Sequence, residues 1–192
     1  MSPARLRPLE EYGDPGSPTL ELAPTPPRPD PLPNIWDTVD GQVVHPRLRP
    51  GVLRALPFQL DLARIGLAED LLVVLPTGLG KTAIAGLVAA ERLRAGPGKV
   101  LFLAPTRPLV DQHADSFGRW FGSLSRARFS GTLRAPVRFG TWQGAEAVFA
   151  TPQIIANDLA AGRYTLSEVS LLIFDEAHRA VGKYAYVAVA QA

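Results

Sequence analysis

From about residue 51 onward, two apolar patterns alternate along the chain. Uninterrupted runs at residues 71–75, 100–104, 147–150 and 171–174 suit strands buried on both faces, as in a parallel sheet. Segments between them place apolar residues at intervals of three and four. Residues 56–65 predict a helix bearing Gln59, and residues 81–94 a helix with Ile84, Leu87, Val88 and Leu93 inward. Residues 107–121 predict a helix whose buried face carries Leu109, Val110, His113, Phe117, Trp120 and Phe121, and residues 152–161 one with Ile154, Ile155 and Leu159 inward. Residues 127–129 and 137–139 are further short strand candidates. Strand and helix in alternation predict an α/β fold, a mostly parallel sheet flanked by helices on both faces.

The first 50 residues read differently, since they hold 12 of the 19 prolines. Proline fixes φ and removes a backbone donor, so residues 1–50 are expected to be an extended or disordered leader, with Ile35 and Trp36 docking locally. The lobe is expected to span residues 51–192, long enough for one core.

Candidate chemistry sits where two predicted strands end. Residues 71–75 lead into Pro76-Thr77-Gly78-Leu79-Gly80-Lys81-Thr82, a strand, a turn and a helix start. Gly78 and Gly80 allow a turn whose amide N–H groups converge, and the helix beginning near Lys81 adds its positive end. A polyphosphate is favoured there. Lys81 is expected to reach the β/γ-phosphates and Thr82 to hold Mg²⁺. The first glycine of the usual phosphate-loop pattern is replaced by Leu75. The bland alternative is a glycine-containing turn with no ligand.

The second candidate follows residues 171–174, where Asp175 and Glu176 stand at the carboxyl end of a predicted parallel strand, the edge at which ligands collect. Asp175 is expected to hold Mg²⁺ and Glu176 to orient the water attacking the γ-phosphate. Taken alone, the pair also suits a solvated helix start. Together the two motifs point to ATP hydrolysis.

Gln59, the loop at Lys81, Ala104-Pro105-Thr106-Arg107-Pro108-Leu109-Val110, Thr151-Pro152-Gln153 and Asp175-Glu176-Ala177-His178 follow the order of the early motifs of superfamily 2 helicases. More narrowly, the strings at 75–82, 104–113 and 173–186 resemble the DEAH-box branched-DNA helicases of the Hef, Mph1 and Fanconi anaemia complementation group M type. The resemblance covers roughly residues 55–190 and implies a RecA-like nucleotide-binding lobe. It also implies that Gln59 reads adenine, that Pro105, Thr106, Arg107, Thr151 and Pro152 contact the nucleic-acid backbone, and that His178 couples nucleotide state to the nucleic-acid groove. Arg179-Ala180 and Tyr184-Ala185-Tyr186 lie beyond what ATPase chemistry demands.

Charge adds little. Between residues 107 and 138 six arginines face two aspartates, which suits a phosphate track but also a coding bias, since the chain has 17 Arg and 3 Lys. Trp120, Phe121 and Trp142 can stack on bases, but their spacing favours core. There is no cysteine, which excludes disulfides and thiolate sites, and no apolar run approaches the ~18 to 20 residues of a membrane span. These features suit a prokaryotic, cytoplasmic protein working on the nucleoid, with DNA and not a membrane as partner.

Superfamily 2 motors resemble one another in placing ATP between two lobes, the second supplying an arginine finger. This sequence stops 16 residues after Glu176. The expectation is therefore an incomplete lobe, with a second lobe in a longer parent or in trans, that binds ATP and Mg²⁺ but turns over very slowly alone. Alternatives are an RNA- or duplex-sensing ATPase of the same superfamily, and a non-catalytic module that binds nucleotide or DNA as a scaffold.

Overall fold

The computed structural model describes residues 35–54, 56–182 and 184–192, all within the compact unit Pro33–Ala192. Expectations for residues 1–34 lie outside the described residues. The chain opens with an antiparallel hairpin of β1 (Asp37–Val39) and β2 (Gln42–Val44). Asp40 and Gly41 both take positive φ, 50° and 72°, the two-residue turn that matches the twist of a hairpin. Then follow α1 (Pro57–Ala68), α2 (Lys81–Ala95), β3 (Lys99–Leu103), α3 (Arg107–Trp120), β4 (Arg126–Phe129), α4 (Ala135–Gly144), β5 (Ala147–Ala150), α5 (Pro152–Ala160), β6 (Val169–Phe174) and α6 (Ala185–Ala190), with a 3₁₀ turn at Ala177–Arg179.

Four strands form one sheet in the order β4-β5-β3-β6, every neighbour parallel. β3 and β5 lie inside it, which is why Val100, Leu101, Phe102 and Leu103 and the whole of Ala147–Ala150 are apolar and buried without alternation. Successive side chains still leave opposite faces. Val100, Phe102, Ala147 and Phe149 join Leu87, Val110, Phe117 and Phe121 in one core layer. Leu101, Leu103, Val148 and Ala150 join Trp142, Ile155 and Tyr186 in the other. Helices thus cover both faces, as the alternation predicts. Phe121 and Trp142 are core, not stacking platforms, at 1% exposure each.

Three expectations are corrected. Residues 71–75 form no strand and pair with none among the described residues; Leu72 and Val74 are 72% and 82% exposed. The segment faces β6 across a cavity of about 830 Å³ lined by both, so neither free edge has a neighbour at ladder distance. Residues 137–139 are helical within α4, because Pro136 fits a first helical turn and Trp142, one turn on, supplies the buried anchor, leaving Val137 and Phe139 outward. The packed unit also extends further toward the N-terminus than a boundary at residue 51. Trp36, Val43 and Leu48 are buried in the first core layer, and the Arg49 N–H donates to the Trp120 carbonyl at 2.7 Å. Hydrophobic burial there outweighs the proline content that suggests a loose leader.

Asp158 of α5 is fully buried and carries the densest ion pairing of the fold's second layer. Arg138 donates to both its carboxylate oxygens at 2.7 and 2.6 Å, Arg163 at 2.8 Å and the Tyr164 hydroxyl at 3.1 Å. Burial alone pushes the carboxyl up; the Arg138 and Tyr164 hydrogen bonds and the two guanidinium charges outweigh it, and Asp158 is held below its ordinary range. The cluster ties α4 to α5, whose start is a candidate nucleic-acid contact.

Two outcomes follow. Trp36→Ala is expected to lower unfolding stability in urea by roughly 3 to 5 kcal/mol. Trp36→Phe is expected to cost far less, because the buried Nε1–H has no hydrogen-bond partner to lose. Asp158→Asn is expected to cost on the order of 3 kcal/mol at neutral pH. With the folded pKa below the unfolded value of about 3.9, the stability this carboxylate contributes is present above that pH and lost as pH falls through the folded value. The gap between Asp158→Asn and wild type should therefore close under acid, measured by urea unfolding at each pH.

Candidate nucleotide site and nucleic-acid edge

The turn at Pro76–Gly80 is shaped by two glycines. Gly78 and Gly80 have φ of 89° and 79°, the left-handed region that side chains resist, and a Cβ on Gly80 would overlap the amide of Gln59. Gln59 is buried on α1 and donates from Nε2 to the Leu79 carbonyl at 3.0 Å. The glutamine expected to read adenine thus also braces the loop. Immediately after Gly80, α2 runs for 15 residues with no acid in its first turn, so its N-terminal N–H groups keep their positive field. Lys81 lies across the loop, its ammonium donating to the Leu75 carbonyl at 2.8 Å. That oxygen occupies the place in the ammonium's coordination that a phosphate oxygen can take.

On the sheet side, register fixes the carboxylates. Leu103 pairs with Phe174 and with Ala150, so the segments that follow β3, β5 and β6 leave the sheet on one edge. Asp175 donates its N–H to the Leu103 carbonyl at 2.8 Å, and its own carbonyl accepts from the Tyr186 hydroxyl at 2.6 Å. One carboxylate oxygen accepts from His113 Nε2 at 2.9 Å. Burial pushes Asp175 up, but the His113 hydrogen bond and charge, the Glu176 N–H and the Lys81 ammonium together hold it below its usual range. It is therefore an anion at neutral pH, as a ligand for a hard cation must be. Glu176 sits at φ 52°, a strained conformation for a non-glycine residue that clusters at functional sites, and its carboxylate lies 3.3 Å from His178 Nδ1.

Lys81, Thr82, Asp175, Glu176 and His178 line one cavity, the same 830 Å³ space beside residues 71–75. The hydroxyl and carboxylate are hard oxygen donors, fit for Mg²⁺, and the described residues contain no cluster of three or more His, Cys, Asp or Glu that could enclose a metal. A cation here would complete its shell with water and phosphate, the habit of Mg²⁺. No arginine among the described residues lines this cavity.

The candidate nucleic-acid contacts occupy the same edge. Thr106 and Arg107 are exposed at the start of α3, with Pro105 half-buried before them. Pro152 is buried in the first turn of α5, where it sets the helix start, so Thr151 is the more accessible of that pair. Part of the arginine excess is paired within the fold. Arg128 pairs with Asp111 and Asp115, Arg138 with Asp158, and Arg107 approaches Asp111 at 3.9 Å. Two residues of the site escape the sequence pattern. His113 counts as one more position on the buried stripe of α3, although a histidine on such a face needs a partner, and that need is the available signal. Tyr186 belongs to a string noticed for its specificity but given no role.

Comparison with known proteins gives the family. A protein of Methanocaldococcus jannaschii, named for ATP-dependent RNA helicase activity, is 41% identical over 78% of this chain and 19% of its own length. The DEAD-box ATP-dependent DNA helicase Fancm of Drosophila melanogaster is 40% identical over 80% of this chain and 11% of its own. The chain thus spans a fifth or less of these curated relatives. The crystal structure of the Pyrococcus furiosus Hef helicase domain superposes with a TM-score of 0.72 at 47% identity, covering 76% of this chain and 31% of that one. The family model for DEAD/DEAH box helicase matches residues 57–191, and the chain belongs to that family.

Proposed function

We propose that this chain is the ATP-binding lobe of a DNA helicase or translocase that acts on branched or forked DNA in repair. The observation that carries the reading is the meeting of Lys81, Thr82, Asp175 and Glu176 in one cavity at the carboxyl edge of a parallel sheet. Lys81 and the α2 N-terminus bind the polyphosphate. Thr82 and Asp175 would hold Mg²⁺, which would supply charge neutralisation at the phosphoryl oxygens. Glu176 positions the attacking water, and His178, with Nδ1 3.3 Å from that carboxylate, couples nucleotide state to the groove. Gln59 braces the loop through the Leu79 carbonyl but does not line the cavity, so its reading of adenine rests on the family resemblance alone.

The catalytic set in this cavity lacks a guanidinium, and an arginine finger is worth ~10³ to 10⁵ in rate where one acts. A second RecA-like lobe, in a longer parent or in trans, would supply it. An RNA-directed activity is the second reading, favoured by the name of the Methanocaldococcus relative. DNA over RNA is supported by the Fancm relative, named for DNA helicase activity, while the exposed Thr106-Arg107 and the half-buried Thr151 on one edge suit backbone contacts to either.

Lys81→Ala is expected to abolish stabilisation by Mg·ATP, which in the wild type should reach about 2.7 kcal/mol at a hundredfold excess over Kd. Thermal melts with and without Mg·ATP measure it, and an unchanged shift in the variant removes the cradle assignment. The chain by itself is expected to hydrolyse ATP far below one turnover per second with forked DNA, duplex DNA or RNA present. A steady rate on the order of one per second or faster overturns the incomplete-site reading. Competition among the three nucleic acids decides between DNA and RNA, with forked DNA expected to bind most tightly.

A further inference from the structure

We propose that His113 is a positioning residue for Asp175, holding the metal-directed carboxylate in place from helix α3; this rests on the reading of Asp175 as the Mg²⁺ carboxylate. His113 is buried, with its Nε2 2.9 Å from Asp175 Oδ2. An ionised carboxylate only accepts, so Nε2 carries the proton and donates. The imidazole lies flat on Phe102 of β3, ring centroids 4.5 Å apart and planes 28° from parallel. Phe102 is the register partner of Ile173 on β6, two residues before Asp175. The ring is therefore fixed by packing and aimed by one polar bond.

The other ring nitrogen decides between packing and positioning. His113 Nδ1 is buried with no hydrogen-bond partner among the described residues. Leaving a buried polar atom unpaired costs about 1 to 3 kcal/mol, and a phenylalanine at this place would avoid that cost while keeping the stack on Phe102. What phenylalanine cannot do is donate to Asp175. The bond is thus the property for which an imidazole is suited here. Asp175 is meanwhile held on its backbone by Leu103 and Tyr186, so His113 removes the remaining freedom, rotation of the carboxylate about its own side-chain bonds. Partners of this kind behind a metal ligand are worth about 10- to 100-fold in metal affinity.

The test separates positioning from mere packing by reading Mg²⁺ dependence. Thermal stabilisation by ATP is measured against Mg²⁺ concentration for wild type, His113→Phe, His113→Gln and Asp175→Asn. His113→Phe is expected to raise the Mg²⁺ midpoint about 10- to 100-fold while leaving stabilisation by metal-free ATP unchanged. His113→Gln, whose amide N–H can reach the carboxylate, should restore the midpoint to within a few-fold. If His113→Phe keeps the wild-type midpoint while Asp175→Asn shifts it, the positioning role is overturned and the Mg²⁺ site stands. If Asp175→Asn leaves the midpoint unmoved, the site reading fails and the proposal fails with it. Should His113→Phe not fold, the measurement moves to His178→Gln labelled with ¹⁵N at histidine, in which His45 and His113 are the histidines left. Adding Mg²⁺ to the ATP-bound chain should then shift an imidazole Nε2 resonance, and two unmoved histidines overturn the proposal.

Discussion

The carbonyl oxygen of Leu103 is the point on which this site's geometry depends. It accepts the Asp175 N–H at 2.8 Å and the Tyr186 hydroxyl at 3.2 Å, at the end of a strand buried on both faces. One atom therefore aligns the end of β3, which continues into Pro105-Thr106-Arg107, with the end of β6, which continues into Asp175-Glu176. Tyr186 closes the arrangement by sharing its one proton between the Asp175 carbonyl, the nearer at 2.6 Å, and that of Leu103, and burial together with the neighbouring Asp175 charge pushes its phenol well above the ordinary range, so it remains a donor. Parallel register and one buried hydroxyl thus do what a loop alone could not: they place the acidic pair Asp175-Glu176 and a candidate strand-binding motif at fixed separation.

The electrostatics of the chain show the same economy. Two of the six arginines that look in sequence like a track for phosphate, Arg128 and Arg138, are paired within the fold on Asp111, Asp115 and Asp158. The formal charge of the whole chain is only +2. Attraction for a polyanion is instead local, coming from a helix end, one ammonium and whichever exposed side chains border the edge. Such local fields act over about one Debye length, roughly 8 Å at physiological salt, and need close approach to matter.

Much of this was legible in the sequence because chemistry and burial there are dense. The loop at 76–82, the acidic pair at 175–176 and the strands β3, β5 and β6 announce themselves by residue type, since central parallel strands admit little besides apolar side chains. Residues 71–75 were legible as strand-like but not as unpaired, because pairing belongs to the neighbour and not to the segment. Residues 137–139 misled because three residues cannot establish a period, and the anchor that decides, Trp142, lies outside the triplet. The docking of Trp36 was legible, but the prolines around it hid that Val43 and Leu48 join the same core. His113 was hidden by its own stripe: periodicity reports that a side chain faces inward, but not that it meets a carboxylate arriving from 62 residues away.

A consequence attaches to the placement of that histidine. Arg107 and His113 stand six residues apart on α3, about 9 Å along a helix that cannot stretch. One end of this rod is exposed at the candidate groove, and the other touches the carboxylate of the candidate nucleotide pocket. Arg107 and the His113–Asp175 contact are therefore held at a fixed spacing by one continuous helix, with no loop between them.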